Sequence, residues 1–440
     1  MIKYFRFIVL FLLTAVALGA NAQSTATTSS PYSRYGIGDI NPMLMPQNIG
    51  MGGISVGTNR INSFNTINTV NPAAYGMINL TTIDVGAQMT FDHLEKTGLP
   101  SQSNFDFKLS HINFAIPVSK RSALSFGLMP YSELGYNFKQ VLPTGFGSGL
   151  PADTNAVNYI YNGDGGLSKF YVGYGFGIGK HLLLGANASY IFGNLKQTQS
   201  TEIPALTGVL NSRVEESNAI RGFNYDYGIQ YIIDLSNRKH ITFGYSGSAN
   251  TKLNSQQSYI VSSYSRNSTG EENIPTDSIV NRQNDPLKLQ LPQINRFGIS
   301  YQYDGKFLFG ADYTMGQWHY LKIGSENKGL QDSKTLNVGG QFTPNVNSLS
   351  SYFASVDYRL GFIYDQTYIN VNSTNVKRYA ATFGVGLPLR PNNTSFYKIN
   401  IAAELGKRGT LVNGLVKENY VNIHLAFTLN DKWFIKYKFD

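Results

Sequence analysis

The chain has 440 residues, of which 42% are hydrophobic and 14% charged, with a formal net charge of +9 and no cysteine. A soluble domain usually carries about a quarter charged residues, so an ordinary water-soluble globule is a poor fit. The absence of cysteine excludes a disulfide framework. The basic residues are scattered over strand ends and turns rather than gathered in a stripe, so no nucleic-acid partner is expected.

Residues 1–22 read as a secretory signal. Lys3 and Arg6 give a basic start, 7–18 an apolar run, and Ala20, Asn21 and Ala22 a small-residue cleavage site. No later apolar run approaches the roughly 18 residues of a transmembrane helix. An exported chain of this kind is periplasmic, secreted or an outer-membrane barrel, because only helices and closed barrels satisfy every backbone polar group within a bilayer. Residues 23–79 form a leader and a second segment. A polar stretch at 24–30 leads into the turn-rich PYSRYGIGDINPMLMP, and then into QNIGMGGISVGTNRINSFNTINTVNPAAYG at 47–76. That last segment is too rich in Gly and Asn for a helix and alternates too poorly for a strand. It is expected to be a plug held by the wall that follows.

From residue 80 to 430 the pattern has period two. Ile83, Val85, Ala87, Met89 and Phe91 oppose Asp84, Gly86, Gln88 and Thr90. Phe170, Val172, Tyr174, Phe176 and Ile178 oppose Tyr171 and a run of glycines. Similar runs cover 182–192, 223–231, 307–314, 356–364, 397–405 and 421–429. They last about nine to twelve residues, the length that crosses a bilayer at a tilt. Tyr and Phe gather toward their ends, as an aromatic girdle does. Short connections at 119–121, 180–181, 236–239 and 304–305 alternate with longer ones at 93–103, 140–166, 203–211, 268–286 and 322–332. The expectation is an all-β, transmembrane antiparallel β-barrel of about 14 strands in a Gram-negative outer membrane, with an N-terminal plug inside the lumen. Residues 431–440, NDKWFIKYKFD with its preceding Asn430, read as a periplasmic tail or a closing strand.

Two irregularities interrupt the pattern. The apolar phase shifts near Ser110 and His111, which implies a bulge. The strand at 122–139 contains Pro130, which cannot donate to a ladder and implies a kink or a gap in the wall. Other features carry less. The glycines of 173–179 lie on one face of a strand, without the helix a phosphate loop needs, and leave room for the plug. Asn162-Gly163-Asp164-Gly165-Gly166 lacks the carboxylates of a calcium cage and reads as a flexible outer loop. Asp226, Asp312, Asp357, Arg359, Arg378, Lys398, Glu404 and His424 face inward, where pairing across a wet lumen is the expected role. The six His show no metal-binding spacing, and no nucleophile elbow is present, so neither an enzyme nor a bound cofactor or metal is expected.

Asn48-Ile49-Gly50-Met51-Gly52-Gly53 followed by Asn71-Pro72-Ala73-Ala74 resembles the entry of FadL-type outer-membrane transporters of long-chain fatty acids and other hydrophobic compounds. PYSRYGIGD and DKWFIKYKFD resemble Bacteroidota members of that group. The resemblance implies a plug carrying Gly50, Gly52, Gly53, Asn71, Pro72 and Ala73, and a kinked third strand that opens sideways at Pro130, Tyr131 and Gly135. It implies passive uptake of a hydrophobic small molecule with outer-membrane lipid around the wall. The alternative is a structural or secretion-associated barrel that docks an envelope protein partner.

Overall fold

Strands form where the sequence alternates, because each side chain of a strand faces the opposite way from its neighbour and a closed barrel needs one face for lipid and one for the lumen. The computed structural model describes residues 28–433 except 61–63, 143–154, 207, 268, 274–276, 325, 328, 349 and 391–394. The expected signal segment 1–22 and residues 434–440 of the expected tail lie outside the described residues.

The strands are β1 (Asp39–Ile40), β2 (Thr81–Glu95), β3 (Gln102–Ser119), β4 (Ser122–Leu142), β5 (Val157–Ile178), β6 (Leu182–Glu202), β7 (Asn211–Ser236), β8 (Lys239–Ser248), β9 (Lys252–Tyr264), β10 (Asp277–Gln290), β11 (Gln293–Tyr303), β12 (Phe307–Gln317), β13 (Lys322–Ile323), β14 (Ser333–Phe342), β15 (Asp357–Val371), β16 (Thr374–Pro388), β17 (Ser395–Gly409) and β18 (Lys417–Asp431). β7 pairs with β8 over its inner part and with β9 over its outer part, so β8 and β9 are two pieces of one wall strand. β10 and β11 continue each other in the same way. The result is a closed 14-strand antiparallel barrel, sealed by the full-length ladder between β18 and β2.

The outward face carries a continuous apolar belt. Phe170, Val172, Tyr174, Phe176 and Ile178 on β5, Phe223 to Leu235 at odd positions on β7, and Phe297, Phe309, Leu360, Phe383 and Phe427 elsewhere are all exposed. Soluble monomers seldom expose contiguous apolar patches beyond a few hundred Å². The stretch from Phe223 to Leu235 on β7, at about 3.3 Å per residue step and a tilt near 40°, spans about 30 Å, the height of a bilayer core. The barrel is of the Gram-negative outer-membrane type.

In such barrels the tight turns face the periplasm. Here those turns, and both ends of the wall at Thr81 and Asp431, lie at one end. Two connections depart from the rule. The periplasmic link between Phe342 and Asp357 carries a 3-10 turn at Phe353–Ser355. At the outer end β15 and β16 are joined by Asn372 and Ser373, with φ of 49° and 60°, the hairpin conformation that matches strand twist.

The outer loops are shorter than the sequence pattern implies. Residues 140–166 are expected to be a loop, yet β4 continues to Leu142 and β5 begins at Val157. Asn162–Gly166 therefore lies within a strand, pairing with Asn137–Glu133 on one side and Thr198–Asn194 on the other. Glycines there admit close neighbours: a side chain at Gly163 would strike the Tyr136 ring. Much of 268–286 is likewise β10, with a register shift between Arg282 and Asp285 where Asn284 takes φ 58°. β4 to β7 run 21 to 26 residues and rise well past the belt. The expected bulge at Ser110 is present, since Gly86 pairs with His111 and Ala87 with Leu109.

Candidate functional site

The wall is interrupted between β3 and β4. Their ladder runs from Ser119 and Ser122 up to Ile112 and Leu128 and stops. Above that point β3 pairs only with β2, and β4 pairs with β5. Pro130 lies two residues past the last rung. It supplies no N–H, and the β4–β5 register shifts between Pro130 and Ser132 so that Tyr131 is bulged. Every residue from Tyr131 to Tyr136 is buried. A lipid-facing strand would bury only alternate side chains, so this stretch has turned in from the wall.

The space beside it is taken by the N-terminal segment. Asp39 and Ile40 of β1 pair with Glu133 and Ser132, and the Asn41 amide donates to the Tyr131 carbonyl at 3.0 Å. The Gly135 amide donates to Ser33 Oγ at 3.1 Å. From β3, Lys108 Nζ bonds both Glu133 Oε2 at 2.5 Å and Asn41 Oδ1 at 3.2 Å, which ties the two edges of the opening together. Ser29 Oγ reaches Asp106 at 3.2 Å and Ser30 Oγ reaches Glu418 at 2.6 Å. Arg34 lies over the Tyr161 ring at 4.5 Å, and Arg408 holds Asp39 at 2.8 Å.

Residues 46–60 and 64–78 touch the inner face of much of the wall. The chain turns at Gly52 and Gly53, with φ of 70° and 84°, a conformation glycine adopts without steric cost. There the Gly52 amide donates to Thr382 Oγ1 at 2.8 Å, and Thr382 Oγ1 also reaches the Gly50 carbonyl at 3.2 Å. Asn337 donates to the Gly52 carbonyl. Asp312 Oδ2 accepts from the amides of Ser55 at 2.6 Å and Val56 at 2.8 Å. Gln230 donates to the Val56 and Thr58 carbonyls, each at 2.9 Å. Asn71, fully buried, caps the 3-10 turn Pro72–Met77 and donates to Val56 at 2.7 Å and Ile229 at 3.3 Å. Pro72 and Ala73 lie against Gly185. Wall glycines make these approaches possible: a Cβ at Gly175, Gly185, Gly228, Gly339 or Gly361 would collide with Pro72, Asn71, Met51 or Gly52.

Above this segment the outer lumen is an apolar core. Tyr32 and Ile37 of the leader meet Tyr131, Leu134 and Tyr136 of β4, with Leu167, Ile191, Ile220, Leu253, Leu289, Trp318, Leu321 and Tyr368 around them. Trp318 stacks on Tyr368 with ring centres 4.0 Å apart. Beside the opening a cavity of about 350 Å³ remains. Its lining includes Met43, Leu44, Met45, Met129 and Pro130 and, among charged residues and histidines, Asp92, Asp106, Lys108, Glu404, Glu418 and His424.

The charged lumen residues are mostly paired. Lys169 meets Asp226 at 2.6 Å, Lys398 meets Asp357 at 2.8 Å, Arg359 meets the same carboxylate at 3.1 Å, and Arg378 lies 3.6 Å from Glu404. Asp312 differs in that its partners are backbone amides. Among the described residues no group of His, Asp and Glu gathers as a metal site would require.

The BamG family model matches residues 1–440, the entire chain. The chain belongs to the BamG family. Solved structures similar to this BamG-family chain include the CymD monoaromatic hydrocarbon channel, with 13% identity and a TM-score of 0.55 over 90% of this chain and 99% of that one. The Ralstonia pickettii toluene transporter TbuX shares 14% identity and a TM-score of 0.54 over 88% and 98%. A Pseudomonas aeruginosa FadL homologue shares 12% and 0.55 over 90% and 100%. At these identities the likeness is one of fold. No curated protein matches the sequence.

Of the residues named from sequence, Pro130, Tyr131 and Gly135 lie together along the inner edge of the opening. Gly50, Gly52, Gly53, Asn71, Pro72 and Ala73 lie within the lumen on two sides: the glycines against β14–β16, and Asn71 to Ala73 against β6–β8. Sequence reasoning did not find Lys108, Glu133, Asp39 or Ser33. Each is a single polar residue whose partner is remote in sequence, and no local pattern marks such a pair.

Proposed function

We propose that the protein is an outer-membrane channel through which hydrophobic small molecules diffuse and leave sideways between β3 and β4. The observation that carries this reading is that a single apolar cluster joins the outer lumen to the edge of the opening, through Tyr136, Leu134 and Tyr131. Fold likeness to a monoaromatic hydrocarbon channel and a toluene transporter adds to it. On this reading residues 47–76 are the plug, and the leader 29–41 is the piece that must move, since it fills the opening. Burial of a ligand's apolar surface at about 25 cal/mol per Å² would hold it, and neither a cofactor nor an energy source is needed. Replacing Pro130 with Val restores a ladder donor, which favours closing the wall. Uptake of a radiolabelled hydrocarbon into cells carrying Pro130→Val is expected to fall severalfold. Unchanged uptake would sink lateral exit.

A second reading has its own observation. The apolar site of the outer lumen is already filled by Tyr32, Ile37, Trp318 and Leu321, as in a barrel kept shut while its rim holds an envelope protein. Mass spectrometry of material co-purified in mild detergent separates the two. A bound apolar molecule favours the channel; a stoichiometric protein without one favours docking.

A further inference from the structure

The outer edge of the apolar belt carries bases on its membrane side. Arg221, Lys252, Lys288, Lys334, Lys377 and Lys407 are all exposed. Side chains alternate along a strand, and the chain neighbours of these six point inward. Ile220, Leu253, Leu289 and Val376 belong to the apolar core of the outer lumen, and Thr335 and Arg408 line its cavity. The bases therefore face away from the lumen. Four of them stand two positions outward of an exposed apolar side chain: Arg221 beyond Phe223, Lys334 beyond Leu336, Lys377 beyond Tyr379 and Lys407 beyond Leu405. Arg221 is opposite Asn254, and Asn254 is opposite Lys288, with Lys252 two positions below.

None of the six is in an ion pair among the described residues. The carboxylates that adjoin their rows are taken, Glu95 by Lys417 at 3.0 Å and Asp332 by His319 at 2.7 Å. At the periplasmic end charge is mixed instead, with Asp234 and Asp304 both on His240.

One of these bases borders a crevice. Tyr379, Lys407, Asn419, His93 and Ser103 form a single cross-strand row from β16 to β3. One row nearer the membrane core, Leu405, Val421, Phe91 and Phe105 are aligned. The residues between the rows, Glu404, Tyr420 and Asp92 among them, are turned to the lumen cavity. Except for Phe105, both rows line an outward crevice of about 710 Å³. The change from polar row to apolar row is the change from headgroup to acyl chain. A lysine suits that boundary, because its stem lies on apolar surface while its ammonium stays in the polar layer, where it meets phosphate as a point charge.

We infer that this outer edge binds the phosphorylated glycolipid of the outer leaflet. Lys407 and the diagonal Lys377 hold a phosphate at the crevice, Asn419 and His93 meet sugar hydroxyls, and acyl chains lie on Leu405, Val421 and Phe91. Two observations select this occupant. Clustered bases beside a membrane attract anionic headgroups. The wall also continues well past the bases, from Arg221 to Asn211 on β7, and its next outward row carries the exposed amides Asn194 and Gln256, which suit a headgroup built of sugars and taller than a glycerol phosphate. The inference concerns the lipid face and is independent of what the lumen carries.

The test is native mass spectrometry of the detergent-solubilised full chain titrated with three probes: doubly phosphorylated lipid A, the same lipid A with its phosphates removed, and phosphatidylglycerol. The phosphorylated lipid A is expected to bind at least tenfold more tightly than the dephosphorylated form and severalfold more tightly than phosphatidylglycerol. The double variant Lys377→Gln, Lys407→Gln is expected to lose about tenfold for phosphorylated lipid A, while Lys306→Gln at a periplasmic turn loses nothing. Heat-resistant migration on gels confirms that the variants fold. Equal binding of the two forms of lipid A overturns the inference, and so does an unaffected double variant. Phosphatidylglycerol bound as tightly as lipid A overturns it in favour of a phospholipid site. None of these outcomes bears on hydrocarbon uptake, which Pro130→Val tests separately.

Discussion

At the scale of single residues, this lumen is fitted by absence of side chains as much as by their presence. Gly361 meets the backbone of Met51 and Gly52 so closely that a Cβ has nowhere to go. Overpacking of this kind costs about 1–3 kcal/mol. Gly361→Ala is therefore expected to lower the temperature at which the heat-resistant form is lost, whereas Phe362→Leu, on the exposed lipid face, leaves it nearly unchanged. Asp312 makes a complementary case. Its carboxylate accepts from two amides of the inner segment, and each donor left unmet costs about 1–3 kcal/mol. Asp312→Leu is expected to expose residues 47–76 to protease in the assembled barrel. Asp312→Asn, which keeps a carbonyl acceptor, is expected to do so much less. The glycines were legible in sequence as a small-residue face. The role of Asp312 was not: sequence reasoning placed it on the inward face but had it pair with another charge, and only the folded chain brings Ser55 and Val56 to it.

At the scale of elements, Pro130 marked the break in the wall because proline is incompatible with a ladder donor. What fills the break was illegible. β1 is two residues long, too short for any periodicity, and its partner is some ninety positions away. The tall strands were misread for a related reason: Gly and Asn in 162–166 look like a loop unless the neighbours that need the space are known. Beyond the belt these strands are tied by charge at the rim. Tyr264 Oη donates to Glu202 at 2.5 Å and Arg266 at 2.8 Å, while Arg213 holds Glu272 through two bonds. Burial pushes the Glu202 carboxyl up, but the bonds from Arg266 and Tyr264 outweigh it and leave it below its ordinary value. A lowered folded value means the stabilisation is complete above the unfolded value of about 4.3 and fades as pH falls through the folded one. Proteolysis of the outer loops is expected to accelerate below about pH 4, and Glu202→Gln is expected to flatten that dependence.

At the scale of the whole molecule, the belt, the strand number and the closed wall followed from alternation alone, because the bilayer imposes one rule on every strand. The contents of the lumen obey no such rule. They are set by pairwise fit between a Gly- and Asn-rich segment and many distant strands, which is why position could be anticipated and contacts could not. If the leader is the movable piece, removing residues 29–41 is expected to raise leakage of small solutes through the reconstituted barrel, measured as liposome swelling. Unaltered swelling would place the seal in 47–76 instead.

The seam between β2 and β18 has a consequence for how the molecule is made. It joins the first wall strand to the last along 15 residues of each. The segments at 46–60 and 64–78 precede the first of these strands and are bound to wall strands on several sides of the ring. They are made before any of the wall and cannot be slipped inside once the ring has shut. If the sheet curls around its own beginning, the zipping of β18 onto β2 is the expected last step of biogenesis. A chain arrested before that step would hold the N-terminal segment in an open trough rather than in a tube.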